Sequence, residues 1–164
     1  MPTAARITVD LPAQTLTLWH GQVPFRRWPV STAANGPGEI SGSGCTPRGR
    51  HIIRAKIGAG AETGAVFKAR RIASDVRCYS PEMGAQYPGR DWILTRILWL
   101  SGTEVGINRL GCVDTMRRYI YIHGTPHLAA LGAPASHGCI RMGNADVVEL
   151  FDLVSTGIEV TLHE

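Results

Sequence analysis

Residues 6–11 read Arg-Ile-Thr-Val-Asp-Leu, with Ile7, Val9 and Leu11 alternating against polar partners. A period of two is the signature of a strand with one buried face. Residues 15–19 repeat it through Leu16 and Leu18, and His20-Gly21 offers a tight turn into residues 22–32, which predicts a hairpin. Residues 35–49, NGPGEISGSGCTPRG, are loop by composition, and residues 51–57 form a further strand. Residues 58–89 show no clean period and predict a long irregular excursion, of the kind that walls or covers a binding site. Residues 92–100 and 118–123 are strands rich in Ile, Leu, Trp and Tyr.

One segment carries a helical period. Asn144 is placed to cap it, Asp146 sits in its first turn, and Val147, Val148, Leu150, Phe151 and Val154 share one face. Gly157 is placed to end it, and residues 158–162 alternate again as a closing strand. The expectation is a mainly β single domain over residues 1–164. It is a sandwich or partly closed barrel with one helix at about residues 144–156 and long irregular loops.

Composition narrows the function classes. A hydrophobic share of 44% and a charged share of 18% are those of a globular chain. The net charge of +4 is carried partly by Arg pairs at 26–27, 70–71 and 117–118, scattered without a basic block, so no nucleic-acid partner is expected. A mild positive bias suits a small acidic substrate. No stretch approaches the roughly 20 apolar residues of a bilayer span, so no membrane insertion is expected. The first residues show no apolar export signal, which points to the cytoplasm, or to the periplasm if a leader preceded them. Cys45, Cys78, Cys112 and Cys139 lack CxxC spacing and are expected as free thiols, the first three structural.

The chemistry lies in two short segments. In RYIYIHG, Ile120 and Ile122 take one strand parity while Tyr119, Tyr121 and His123 take the other. In SHGCIRM, Ile140 and Met142 are apolar, and His137, Cys139 and Arg141 share the opposite parity. If both strands lie in one sheet, each buries its aliphatic side and presents a polar row. Cys139 is then a nucleophile, a metal ligand or a small buried hydrophobe. As a nucleophile it needs an imidazole to accept its proton. His137 is held two residues away on the same strand, whereas His123 can approach from the neighbouring one, so His123 is the expected base. A backbone carbonyl at or near Gly124 would hold its tautomer. The amides of Gly138 and Cys139 are candidate oxyanion donors, and Arg141 a candidate grip for a substrate carboxylate. As a zinc site, His123, His137 and Cys139 would supply three ligands.

The segment IHGTPHLAALGAPASHGCIRMGNADVVELF resembles the signature of the L,D-transpeptidase catalytic domain, the YkuD domain. It has His-Gly-Thr, a spacer, Ser-His-Gly-Cys, an apolar residue, Arg, and Asn-x-Asp opening a helix. Upstream, CTPRGRHIIRAKIG resembles the Thr-Pro-x-Gly segment of the same domain, and the likeness covers nearly the whole chain. The resemblance implies a β-rich sandwich and cysteine acyl transfer on peptidoglycan tetrapeptide stems, with no cofactor and no metal. By that resemblance Cys139 is the nucleophile, His123 the base and His137 a supporting group. Gly124, Ser136, Gly138 and Arg141 shape the substrate and oxyanion environment. Cys139 would attack the carbonyl of the third, diamino-acid residue, releasing D-alanine and leaving a thioester. Water as acceptor gives an L,D-carboxypeptidase acting on soluble muropeptides in recycling. An amine acceptor gives cross-links or exchanged D-amino acids. The same resemblance implies acylation by carbapenem-type β-lactams. The rivals are a catalytically silent wall-fragment binder and a zinc hydrolase.

Overall fold

Ile7, Val9, Leu16 and Leu18 are all buried in a computed structural model that describes residues 4–164. They belong to β1 (Ala5–Asp10) and β2 (Thr15–His20), which run antiparallel and continue into β3 (Val23–Ser31). A bulge between Leu18 and Trp19 twists this meander. The remaining elements follow in chain order. They are β4 (Gly49–Ile57), β5 (Val66–Lys68), β6 (Arg71–Ile72), α1 (Pro81–Gln86), β7 (Ile93–Gly102), β8 (Tyr121–Gly124), β9 (Ile140–Met142), α2 (Asn144–Leu153) and β10 (Glu159–His163).

All ten strands form one sheet in the order β4-β10-β1-β2-β3-β9-β8-β7-β5-β6, and β4 also pairs with β7. That extra pairing closes the sheet on itself and leaves β5 and β6 as a flap on β7. Most neighbours are antiparallel, but β1 with β10 and β8 with β9 are parallel. The fold is mainly β, as expected, with a barrel-like sheet and one helix longer than two turns.

The main core joins Ile7, Leu16, Leu98, Ile122, Ile140 and Met142 to Val147, Leu150 and Phe151 of α2. On the opposite face of β7 and β8, Ala65, Phe67, Ile97 and Tyr121 form a second apolar layer that reaches Cys139. Strands β7, β8 and β9 are therefore covered on both sides. That accounts for the nearly continuous burial of β7, Thr95 and Arg96 included, and for the burial of every residue of β8.

Three local expectations change. Helix α2 ends at Leu153, and Gly157 (φ +90°) instead donates its amide to Ile53 in the turn leading to β10. Gly143, not Asn144, is the N-cap residue; the Asn144 side chain reaches back to the Thr125 carbonyl and accepts from the Thr95 hydroxyl. The excursion over 58–89 is partly ordered into β5, β6 and α1. No helix of the described residues is long and apolar enough to cross a membrane.

His51 links β4 to the loop before β8. Its Nδ1 lies 3.0 Å from the Gly49 carbonyl and its Nε2 2.9 Å from the Thr115 hydroxyl. Burial pulls the imidazole down to about 4, against the opposing pull of the Gly49 carbonyl. In the unfolded chain the same group titrates near 6.5. As pH falls the unfolded state therefore takes up a proton first. The stability held by neutral His51 is complete above about pH 6.5 and is lost between there and about pH 4. The full shift is equivalent to about 3 kcal/mol. Urea unfolding at pH 7.5 and 4.5 should show the wild type losing more stability on acidification than His51→Gln. Equal losses would show that His51 does not carry this acid sensitivity. His123 is displaced in the same direction and remains in both proteins.

Candidate active site

The parallel register of β8 and β9 sets His123 opposite Arg141 and Ile122 opposite Ile140. Continued one step, it brings Cys139 alongside Tyr121. The two isoleucines enter the main core, and His123, Arg141, Tyr121 and Cys139 share the other face. His123 is thus the diagonal neighbour of Cys139, not its opposite. A diagonal of this kind spans about 8 Å between Cα atoms, within reach of an imidazole and a thiol leaning towards each other.

His123 is fully buried, and its Nδ1 lies 2.6 Å from the carbonyl of Gly124. A carbonyl only accepts, so Nδ1 carries the proton and Nε2 presents a lone pair. Nε2 is buried and has no hydrogen-bond partner within the described residues. Burial pulls the His123 imidazole below its ordinary value, against the Gly124 carbonyl, which favours the charged form. An unpartnered nitrogen in such a place costs on the order of 1–3 kcal/mol; among the described residues only Arg96 Nε shares that state.

Cys139 is half-buried. Its Sγ accepts the amide of Tyr121 at 3.3 Å and donates to the carbonyl of Tyr119 at 3.4 Å. Burial pushes the thiol up to about 12, while the Tyr121 amide and the guanidiniums of Arg141 and Arg118 oppose that rise. The resting thiol therefore keeps its proton at neutral pH, and it would need a nearby base to act as a nucleophile. The Tyr119 carbonyl is aimed by a left-handed residue, since Tyr119 has φ +56°.

The residues expected around the nucleophile divide into two groups. His137 stands at the mouth, with a side chain 72% exposed and Nδ1 3.7 Å from Asp91. The other four lie behind the site. The Ser136 hydroxyl, buried, donates to the Cys139 carbonyl at 2.6 Å and accepts the Gly138 amide at 3.1 Å. Ser136 bridges to Ala33, and residues 137–139 form a bend, with Gly138 at φ +136°, not a continuation of the strand. A Cβ on Gly138 would meet the Cys45 carbonyl and Ile120 at 3.2 Å each. The Gly138 amide is thus already occupied, which leaves the Cys139 amide as the remaining oxyanion candidate of the pair. Gly124 is packed so tightly that a Cβ would clash with the Asn144 side chain and with the Leu94 carbonyl.

Arg141 also departs from expectation. Its side chain is only 7% exposed and its fork is engaged, donating to Asp91 at 3.0 Å and to the Ala135 carbonyl at 3.4 Å. The guanidinium braces the wall of the site and has little freedom to grip a carboxylate.

A cleft of about 390 Å³ opens over the thiol, lined among others by Arg70, Asp91, Arg118, Tyr119, Tyr121 and His137. Sequence reasoning missed Asp91, Arg70 and Arg118. Arg70 sits at the tip of the β5–β6 turn, where Ala69 and Arg70 both have positive φ. Arg118 is held by the Cys45 carbonyl at 2.6 Å and the Gly38 carbonyl at 3.2 Å. Its position just before the His123 strand is the one signal of it in the sequence. Among the described residues no three His, Cys, Asp or Glu side chains come together as a metal ligand set. All four cysteines are free.

Residues 4–162 match the family described as the L,D-transpeptidase catalytic domain, YkuD, and the chain belongs to that family. A Bacillus subtilis protein named as an L,D-transpeptidase, YkuD, is 45% identical over 47 residues, which are 29% of this chain and 29% of that protein. An L,D-transpeptidase from Mycobacterium smegmatis superposes with a TM-score of 0.58 at 20% identity, covering 98% of this chain and 59% of its own. L,D-transpeptidase 3 from Mycobacterium tuberculosis gives 0.60 at 18% identity, with 98% and 61% covered. At these identities the structural likeness is one of fold, and this chain spans less than two thirds of each solved relative.

Proposed function

We propose that this chain performs cysteine-dependent acyl transfer on peptidoglycan tetrapeptide stems, with water as the acceptor. The observation that carries the reading is the unpartnered, tautomer-fixed Nε2 of His123 on the sheet face that bears Cys139. Cys139 Sγ attacks the carbonyl of the third stem residue as Nε2 takes its proton, and Arg118 and the Cys139 amide lie near the developing charge. The C–N bond to D-alanine breaks, the imidazolium returns the proton to the leaving amine, and a thioester remains. Water then attacks with His123 again as base, the C–S bond breaks, and the thiol is restored with a tripeptide as product. Support for water comes from the openness of the mouth of the site, where His137 lies largely in solvent.

Two structural relatives of the same family, one described in complex with imipenem and one with a faropenem-derived adduct, support acylation of Cys139 by carbapenem-type β-lactams. Soluble muropeptides are the proposed substrates. Incubation with a disaccharide-tetrapeptide, followed by mass spectrometry, should give disaccharide-tripeptide and free D-alanine. Cross-linked dimers or D-amino-acid exchange as the main product would replace water with an amine acceptor. No reaction together with no carbapenem adduct would remove the acyl-transfer reading altogether.

A further inference from the structure

Trp99 and Tyr119 form a ridge beside the thiol cleft, and beyond it lies a second cleft of about 520 Å³. Its floor and rim include Trp99, Tyr119 and Leu110, and the guanidiniums of Arg54, Arg109 and Arg117 border it. Tyr119 and Leu110 are each 52% exposed, so the cleft offers apolar surface to a ligand. Arg54, Arg109 and Arg117 are exposed and form no ion pair among the described residues. The cleft contains one carboxylate, Asp114, whose two oxygens accept the amides of Leu110 (2.6 Å) and Arg117 (2.9 Å). That carboxylate shapes the loop presenting Arg109 and Arg117, and three guanidiniums against it leave two positive charges uncompensated.

Single exposed arginines are ordinary surface residues. These converge on a concave apolar floor, and the floor continues towards the nucleophile. Arg70, which lines the thiol cleft, lies over both rings of the ridge, 5.1 Å from Trp99 and 4.8 Å from Tyr119, and donates to the Tyr121 hydroxyl at 3.2 Å. A cationic track thus runs from the thiol cleft over the ridge into the second cleft. Planar guanidiniums favour carboxylates, which they bind with two parallel hydrogen bonds, and an apolar floor accepts the peptide between them.

We infer that the second cleft binds the part of the stem peptide remote from the scissile bond through its free carboxylates, and that Arg109 and Arg117 determine a preference for anionic stems. The inference rests on the acyl-transfer reading for its substrate class, and it assigns that substrate a second contact surface.

The test compares a tetrapeptide stem bearing free carboxylates with the same stem carboxamidated at every carboxylate except the terminal one. Wild-type kcat/KM should favour the free acid by about tenfold or more, mainly through KM, and added salt should shrink the preference. In Arg109→Gln/Arg117→Gln the free acid should fall to the level of the amide, and Arg109→Lys/Arg117→Lys should recover most of the difference. Equal wild-type turnover of the two stems would overturn the inference. So would a preference that survives the double Gln variant, which would move the anion site to Arg70 and Arg118. Calorimetric binding of both stems to Cys139→Ala separates the two readings. Charge-selective binding without any wild-type turnover would keep the cleft and sink the chemistry. Turnover without charge-selective binding would keep the chemistry and sink the cleft.

Discussion

Cys139→Ala will abolish release of D-alanine from tetrapeptide stems and all covalent mass gain with a carbapenem, while the protein stays folded. The sulfur is the only group at this position able to form the thioester, and loss of a nucleophile of this kind costs on the order of 10⁴-fold or more in rate. The folded state has less at stake. Cys139 is only partly buried, its two sulfur contacts are long, and its packing is at the edge of a smaller apolar layer. Removal of the sulfur should cost about 1 kcal/mol, read by thermal unfolding. Cys139→Ser, which keeps a hydroxyl donor for the Tyr119 carbonyl, should be equally inactive because a serine hydroxyl is a far weaker acid than a thiol. Intact-mass spectrometry makes the test sharp. A carbapenem adduct that persists on Cys139→Ala would place the reactive thiol at Cys45, Cys78 or Cys112, and the assignment would fail.

The elements most legible in the sequence were those whose period survives in the fold. β1 and β10 each keep one face buried and the other wetter, so alternation announced them. The polar row of Cys139, His123 and Arg141 was legible for the same reason, since strand parity is a local property. Closure of the sheet by β4 against β7 was not, because a pairing between distant segments leaves no periodic mark on either. The register of β8 on β9 was equally silent, and it is what sets His123 opposite Arg141 and diagonal to Cys139.

The bend at 137–139 hid behind residues that also suit a strand. Gly138 sits there at φ +136°, which side-chain-bearing residues rarely adopt, and a Cβ would press on the Cys45 carbonyl and Ile120. The β5–β6 flap was missed because its turn uses Ala69 and Arg70 at positive φ, where glycine would have been the visible cue. Asp91 carried no cue at all. Its pairing with Arg141 and its approach to His137 exist only once the loop before β7 folds over the site.

The burial that hides His123 from solvent also dictates how the reaction should respond to pH. His123→Gln removes the proposed base while keeping a polar side chain in a fully buried position, and it should lower kcat/KM by about 10²- to 10⁴-fold. In the wild type the imidazole is held below its ordinary value by burial, so it stays neutral as pH falls through 6.5. The acid limb of kcat/KM should accordingly lie below pH 6.5. The thiol is pushed up to about 12, so no rise should appear near pH 8.5, where an ordinary cysteine ionises. The wild-type profile should be flat from about pH 7 to 9.5. The variant should behave differently. Without a base its activity depends on the small fraction of free thiolate, which grows about tenfold per pH unit until the thiol titrates. Its residual rate should climb steadily with pH and approach the wild type only in strong alkali. His137→Gln, which alters an exposed side chain at the mouth, should keep the flat profile with a modest loss. If His123→Gln were instead flat and nearly active while His137→Gln acquired the alkaline slope, the base would be His137. The unpartnered Nε2 of His123 would then be a cost of folding with no catalytic return.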